Sequence, residues 1–138
     1  MTTRLTDIDH VGIATQDLDA AVDLYRRTLG TEPAHRERVQ DQGVEEVMFA
    51  LGSSFIQLLG ALDPDTPVGR FLSSRGPGLH HIAYRVGDIE SSLDDLRAEG
   101  LRLIDEHGRP GSRGTTVAFI HPRSLNGVLT ELVQAPAD

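Results

Sequence analysis

Cysteine is absent from the 138 residues. Its absence rules out disulfides and thiolate metal sites, so any metal must be held through nitrogen and oxygen. Aromatic residues are scarce, with four phenylalanines, two tyrosines and no tryptophan, a poor endowment for trapping flat aromatic ligands. No apolar run approaches the length needed to span a membrane. The opening Met-Thr-Thr-Arg-Leu-Thr-Asp also lacks the apolar stretch of a signal peptide. The expectation is a soluble cytoplasmic protein. Positive charge is in deficit, and a net charge of −8 argues against nucleic acid and anionic membranes as partners. A phosphorylated small molecule stays open, because arginines gather at Arg70, Arg75, Arg109, Arg113 and Arg123. The length suits one domain able to bury a core without staples.

The chain then says nearly the same thing twice. Asp9-His10-Val11-Gly12-Ile13 reappears as His80-His81-Ile82-Ala83-Tyr84, an offset of 71 from His10 to His81. Asp17-Leu18-Asp19-Ala20-Ala21-Val22 reappears as Asp88-Ile89-Glu90-Ser91-Ser92-Leu93, and Gly43 as Gly114, at the same offset. Phe55-Ile56-Gln57-Leu58-Leu59 matches Leu129-Thr130-Glu131-Leu132-Val133 with the offset grown to 74. Each half thus offers one histidine near its start and one Gln or Glu near its end.

Leu18, Ala21, Val22, Tyr25 and Leu29 fall on one face of a helix, with Asp17 as N-cap and Gly30 as stop. The second copy places Ile89, Leu93 and Leu96 on one face, capped by Asp88 and stopped by Gly100. Strands are expected before each helix, at Ile8 to Ala14 and His80 to Val86. Three more follow each: Glu32 to Arg38, Val44 to Leu51 and Ser54 to Leu59, then Leu101 to Asp105, Thr115 to Ile120 and Val128 to Val133. The predicted fold is α+β: two pseudo-symmetric β-α-β-β-β modules, about 6–60 and 80–134, in a single domain. They would form a curved, cup-like mixed sheet around a metal site, and residues 61–79, rich in proline and glycine, would connect them.

Strand alternation puts His10, Gln57, His81 and Glu131 opposite aliphatic neighbours that would pack under the helices. Gly12 and Ala83 leave room on the polar face. Two imidazoles, a carboxylate and an amide oxygen suit a borderline divalent ion, and four ligands leave octahedral positions open for water or substrate. His80 points to the other face and is read as non-ligating; His35, His107 and His121 are read as loop or turn residues without partners. Glu46 shares a strand face with Val44, Met48 and Ala50, where a carboxylate is unexpected. Its counterpart at offset 71 is Val117. One acid beside an otherwise symmetric cage suggests a base next to an electrophile.

These residues resemble the vicinal oxygen chelate (glyoxalase/bleomycin resistance/dioxygenase) superfamily, and within it the methylmalonyl-CoA epimerase family. Ile8-Asp9-His10-Val11-Gly12-Ile13-Ala14, Asp41-Gln42-Gly43-Val44, Gly76-Pro77-Gly78-Leu79-His80-His81-Ile82-Ala83-Tyr84 and Phe119-Ile120-His121-Pro122-Arg123 carry the likeness, with Gly127-Val128-Leu129-Thr130-Glu131-Leu132. Leu59-Gly60-Ala61 departs from the Leu-Glu-Pro of many relatives. The resemblance implies one divalent metal per chain on His10, Gln57, His81 and Glu131, with Co2+ favoured over Mn2+, Ni2+ or Zn2+. It implies Glu46 as proton-transferring base, and Glu131 could double as ligand and second acid/base. The activity implied is epimerisation of methylmalonyl-CoA at C2 through a metal-stabilised enolate. Arg109, Arg113 and Arg123 would receive the coenzyme A tail, and a homodimer is expected. The alternatives are a glyoxalase I-like isomerase acting on a glutathione thiohemiacetal, an extradiol dioxygenase and a metal-free drug-binding protein. Gln57 as a fourth ligand argues against the dioxygenase.

Overall fold

The structure, a computed structural model, describes residues 5–137. Residues 1–4, part of the stretch read as lacking a signal peptide, lie outside the described residues. Its elements run β1 (Ile8–Ala14), α1 (Leu18–Leu29), β2 (His35–Val39), β3 (Val44–Leu51), β4 (Ser54–Ala61), α2 (Pro67–Arg75), β5 (Gly78–Arg85), α3 (Ile89–Ala98), β6 (Arg109–Pro110), β7 (Thr116–Ile120) and β8 (Thr130–Gln134). Among the described residues, no helix is long and apolar enough to cross a membrane. The described residues gather into two compact units, one of residues 10–80 and one of residues 5–9 with 81–137.

In the 10–80 unit the strand order is β2-β3-β4-β1. Strands β2, β3 and β4 pair antiparallel, while β1 joins β4 in parallel. Helix α1 forms where the apolar spacing said it would. The Asp17 side chain accepts from the Ala20 N–H, and Gly30 closes the helix in the left-handed conformation. Its apolar face, Leu18, Ala21, Val22, Tyr25 and Leu29, packs on Val47, Phe49, Leu58, Ile13 and Ile56. Truncating a side chain as buried as Leu58 would cost about 2–5 kcal/mol.

The other unit repeats the plan. Its order is β5-β8-β7-β6, with β5 parallel to β8 and the remaining pairs antiparallel. The Asp88 side chain accepts from the Ser91 N–H to open α3, whose Ile89 and Leu93 bury against Ala118, Ile120 and Leu132. Both units are β-α-β-β-β modules of an α+β fold. The repeat reaches the turns: Gly43 and Gly114 adopt φ of 69° and 70°, each in a short 3-10 turn just ahead of a strand. A side chain at either position would be strained.

Two expectations need correction. The 61–79 segment is not a plain connector. It contains α2, with Thr66 as N-cap, Pro67 in the first turn and Val68, Phe71 and Leu72 packed on the β4 core. Leu101 to Asp105 is no strand beyond an isolated bridge, Leu103 to Ile120. The N–H groups of Ile104 and Asp105 both donate to the Phe119 carbonyl, which breaks the alternating ladder. The short strand in that place is instead β6, at Arg109–Pro110. Helix α3 does stop at Gly100 as expected: after the Glu99 cap, Gly100 turns left-handed at φ 89°, its N–H donates to the Arg97 carbonyl and that of Leu101 to the Leu96 carbonyl.

Candidate active site

In the 10–80 unit, His10 and Gln57 stand on the neighbouring strands β1 and β4, and both are buried. Gly12 lies beside Gln57 in the ladder, so no side chain covers it from that strand. Glu46 on β3 is 1% exposed, and is therefore not a surface acid like its neighbour Glu45, which pairs with Arg36. On its face Val44 and Met48 are buried too, while Ala50 at the strand's end is exposed. The Gln57 amide nitrogen donates to Glu46 Oε1 at 2.7 Å.

Sequence reasoning missed His35. It begins β2 rather than a loop, and Glu37, two residues on, stands directly opposite Glu46. Two facing carboxylates would repel. The His35 ring lies near both, with Nε2 2.8 Å from Glu37 Oε1 and 3.8 Å from Glu46 Oε2. The signal was present in the alternation of His35, Glu37 and Val39 along one strand face.

In the other unit His81 and Glu131 are buried, and His81 Nε2 lies 3.1 Å from Glu131 Oε1. Ala83 is the ladder partner of Glu131, as Gly12 is of Gln57. The His81 ring meets Phe119 edge-on at 5.5 Å. Asp9, buried at the start of β1, accepts from Arg85 Nε and Arg113 Nη2, each at 2.9 Å. His80 packs edge-on against Phe71 at 4.9 Å. His107 bonds to exposed Glu90, whose carboxyl is held below its ordinary value by that bond and by the Gly108 N–H. His121 accepts from the Arg123 N–H.

The three arginines expected near coenzyme A divide. Arg113 is tied to buried Asp9, and Arg109 pairs with Asp105 at 3.2 Å and lies over the Phe119 ring. Arg123 is exposed.

In each unit the donor types fit a divalent ion. Gln57 Oε1 is buried with no hydrogen-bond partner, since the amide's nitrogen end is the one turned to Glu46. A buried bare carbonyl oxygen costs free energy unless something electropositive meets it. His10, His81 and Glu131 are buried residues of types that ligate metals. Each unit thus offers one imidazole and one oxygen donor, types that suit a borderline divalent ion where thiolates are absent.

A family model described as the glyoxalase/bleomycin resistance protein/dioxygenase superfamily matches residues 9–119. The chain belongs to that superfamily. An ethylmalonyl-CoA/methylmalonyl-CoA epimerase of Cereibacter sphaeroides is 39% identical over 130 residues, covering 92% of this chain and 96% of the relative. A solved methylmalonyl-CoA epimerase in complex with methylmalonyl-CoA and NH4+ superposes with a TM-score of 0.94 at 43% identity, covering 97% of both chains. A variant of the Streptomyces coelicolor methylmalonyl-CoA epimerase in complex with 2-nitronate-propionyl-CoA gives a TM-score of 0.94 at 42% identity, again covering 97% of both. Within the superfamily this chain is an enzyme of the isomerase class, an epimerase.

Proposed function

We propose that this superfamily member interconverts (R)- and (S)-methylmalonyl-CoA by removing and returning the proton at C2. The observation that carries the reading is Glu46, a buried acid hydrogen-bonded to a ligand-type amide whose oxygen is bare, in a chain matching an epimerase bound to methylmalonyl-CoA over nearly its whole length. His10, Gln57, His81 and Glu131 would together hold one divalent ion, with Co2+ the first choice. Such an ion supplies Lewis-acid stabilisation for negative charge on the thioester oxygen as the proton leaves.

The chain's own residues supply the rest. Glu46 takes the C2 proton from one face, and burial among apolar neighbours keeps competing water from it. Glu131 is the second acid/base, returning a proton from the opposite face to invert the centre. Arg123, the exposed member of the arginine set, attracts the coenzyme A phosphates. The enzyme works as a homodimer, so sedimentation at micromolar concentration should show twice the chain mass of 15.0 kDa; a monomer alone would remove that part of the proposal.

The test of function is isotopic. Metal-loaded protein with methylmalonyl-CoA in deuterated water should exchange the C2 proton and interconvert the epimers above the non-enzymatic background. Glu46→Gln keeps size and polarity but cannot accept the proton, so epimerisation should fall about 10²-fold or more. Wild type that holds metal yet shows no exchange would end the methylmalonyl-CoA proposal, and methylglyoxal with glutathione becomes the next assay.

A further inference from the structure

The Gln57 amide has two unlike ends, and only its oxygen can bind a cation. Its nitrogen end is fixed by the 2.7 Å bond to Glu46 Oε1, on the adjacent strand two residues from Met48, the ladder partner of Gln57. The reverse orientation would press the amide oxygen against the carboxylate, two acceptors at hydrogen-bond distance with no proton between them. Glu46 therefore selects the orientation that leaves Gln57 Oε1 bare and buried. Leu59 and Met48, the ladder partners of the pair, are buried and apolar, so they offer no substitute acceptor.

We propose that Glu46 is also a positioning residue: its carboxylate aims the Gln57 oxygen at the metal, separately from any part it takes in moving the substrate proton. This rests on the metal reading above and not on the identity of the substrate. Groups that bond to a metal ligand from behind fix its orientation, and their loss typically weakens binding about 10–100-fold. The role requires an acceptor at position 46 but no negative charge. A base requires a group that can take up a proton. The two roles thus separate between Glu46→Gln, which keeps an acceptor oxygen, and Glu46→Leu, which has none.

The experiment is a calorimetric titration of metal-free protein with Co2+, read beside the visible spectrum of the Co2+ form. Glu46→Gln should bind within about two-fold of wild type with the same spectrum, while Glu46→Leu weakens about 10–100-fold and its spectrum moves toward that of Gln57→Ala. In a Gln57→Ala background, Glu46→Leu should cost nothing further, because the side chain it orients is gone. Glu46→Leu binding as wild type does, or weakening binding equally in the Gln57→Ala background, overturns the proposal. Wild type failing to bind Co2+ would sink it together with the metal reading. No step of the test depends on epimerisation, so a loss of the substrate assignment leaves this result standing on its own.

Discussion

In the ladder between β3 and β4, Glu46 stands opposite Leu59 and Met48 opposite Gln57. In the ladder between β7 and β8, the same two rungs are Val117 opposite Val133 and Phe119 opposite Glu131. The backbone register is therefore duplicated, and the chemistry is duplicated only at the ligand rung. At the other rung one module carries a buried acid and its twin a buried valine. The ligands differ to match. Glu131 already lies beside His81 and, with oxygen at both ends of its carboxyl group, has no wrong way round. Gln57 has one, and its nitrogen end is the one turned to Glu46, two rungs along. Duplication repeats a buried imidazole and a buried oxygen donor in each module, and divergence at one rung adds a buried acid to only one of them.

The largest test of this comparison is removal of the shared histidines. His10→Ala and His81→Ala should each abolish tight binding of the single divalent ion, because a four-ligand site loses geometry as well as a bond. Elemental analysis after reconstitution would show it. Full occupancy in either variant would mean that the two modules do not contribute equivalent ligands.

A smaller effect compares the cores. Leu58 and Leu132 occupy matching positions, each fully buried and each packed in its own module's cluster. Leu58→Ala and Leu132→Ala should each destabilise by about 2–5 kcal/mol in urea unfolding. A cost confined to one of them would show that one module carries the stability of both.

How much of this was legible from the sequence depended on whether the signal was local. β1 and α1 emerged with the bounds read for them, because a period of two and a period of 3.6 are each written within about ten residues. The burial of His10, Gln57, His81 and Glu131, and of Glu46 beside Val44 and Met48, followed from the repeat and the strand alternation. Helix α2 was hidden by its own punctuation. Pro67 reads as a breaker, yet it sits in the first turn, where its missing N–H costs nothing. Gly69 is required because a Cβ there would come within 2.5 Å of the Asp63 carbonyl oxygen. The failed strand at Leu101 to Asp105 has alternating character, but its bonds depend on what β7 offers, and no local pattern contains that. His35 was missed for the same reason: its meaning lies in Glu46, which is 11 residues away in sequence and on the next strand.

The smallest expected effect bears on the helix starts, where the modules are most alike. Asp17 accepts from the Ala20 N–H at 3.1 Å, and Asp88 from the Ser91 N–H at 3.2 Å. Each carboxylate satisfies one of the four orphan donors of its helix and places negative charge at the positive end of the dipole. Asp17→Ala and Asp88→Ala should therefore each cost about 1 kcal/mol, read as a lowered Tm or urea midpoint with metal affinity unchanged. The two helices end differently, α1 on left-handed Gly30 and α3 on right-handed Glu99. The penalties should nonetheless agree, because a cap bond acts within the first turn and does not reach the far end. A cost several-fold larger at one site would show that this aspartate also holds the strand entering its helix, and the resemblance of the two starts would then be one of geometry and not of energy.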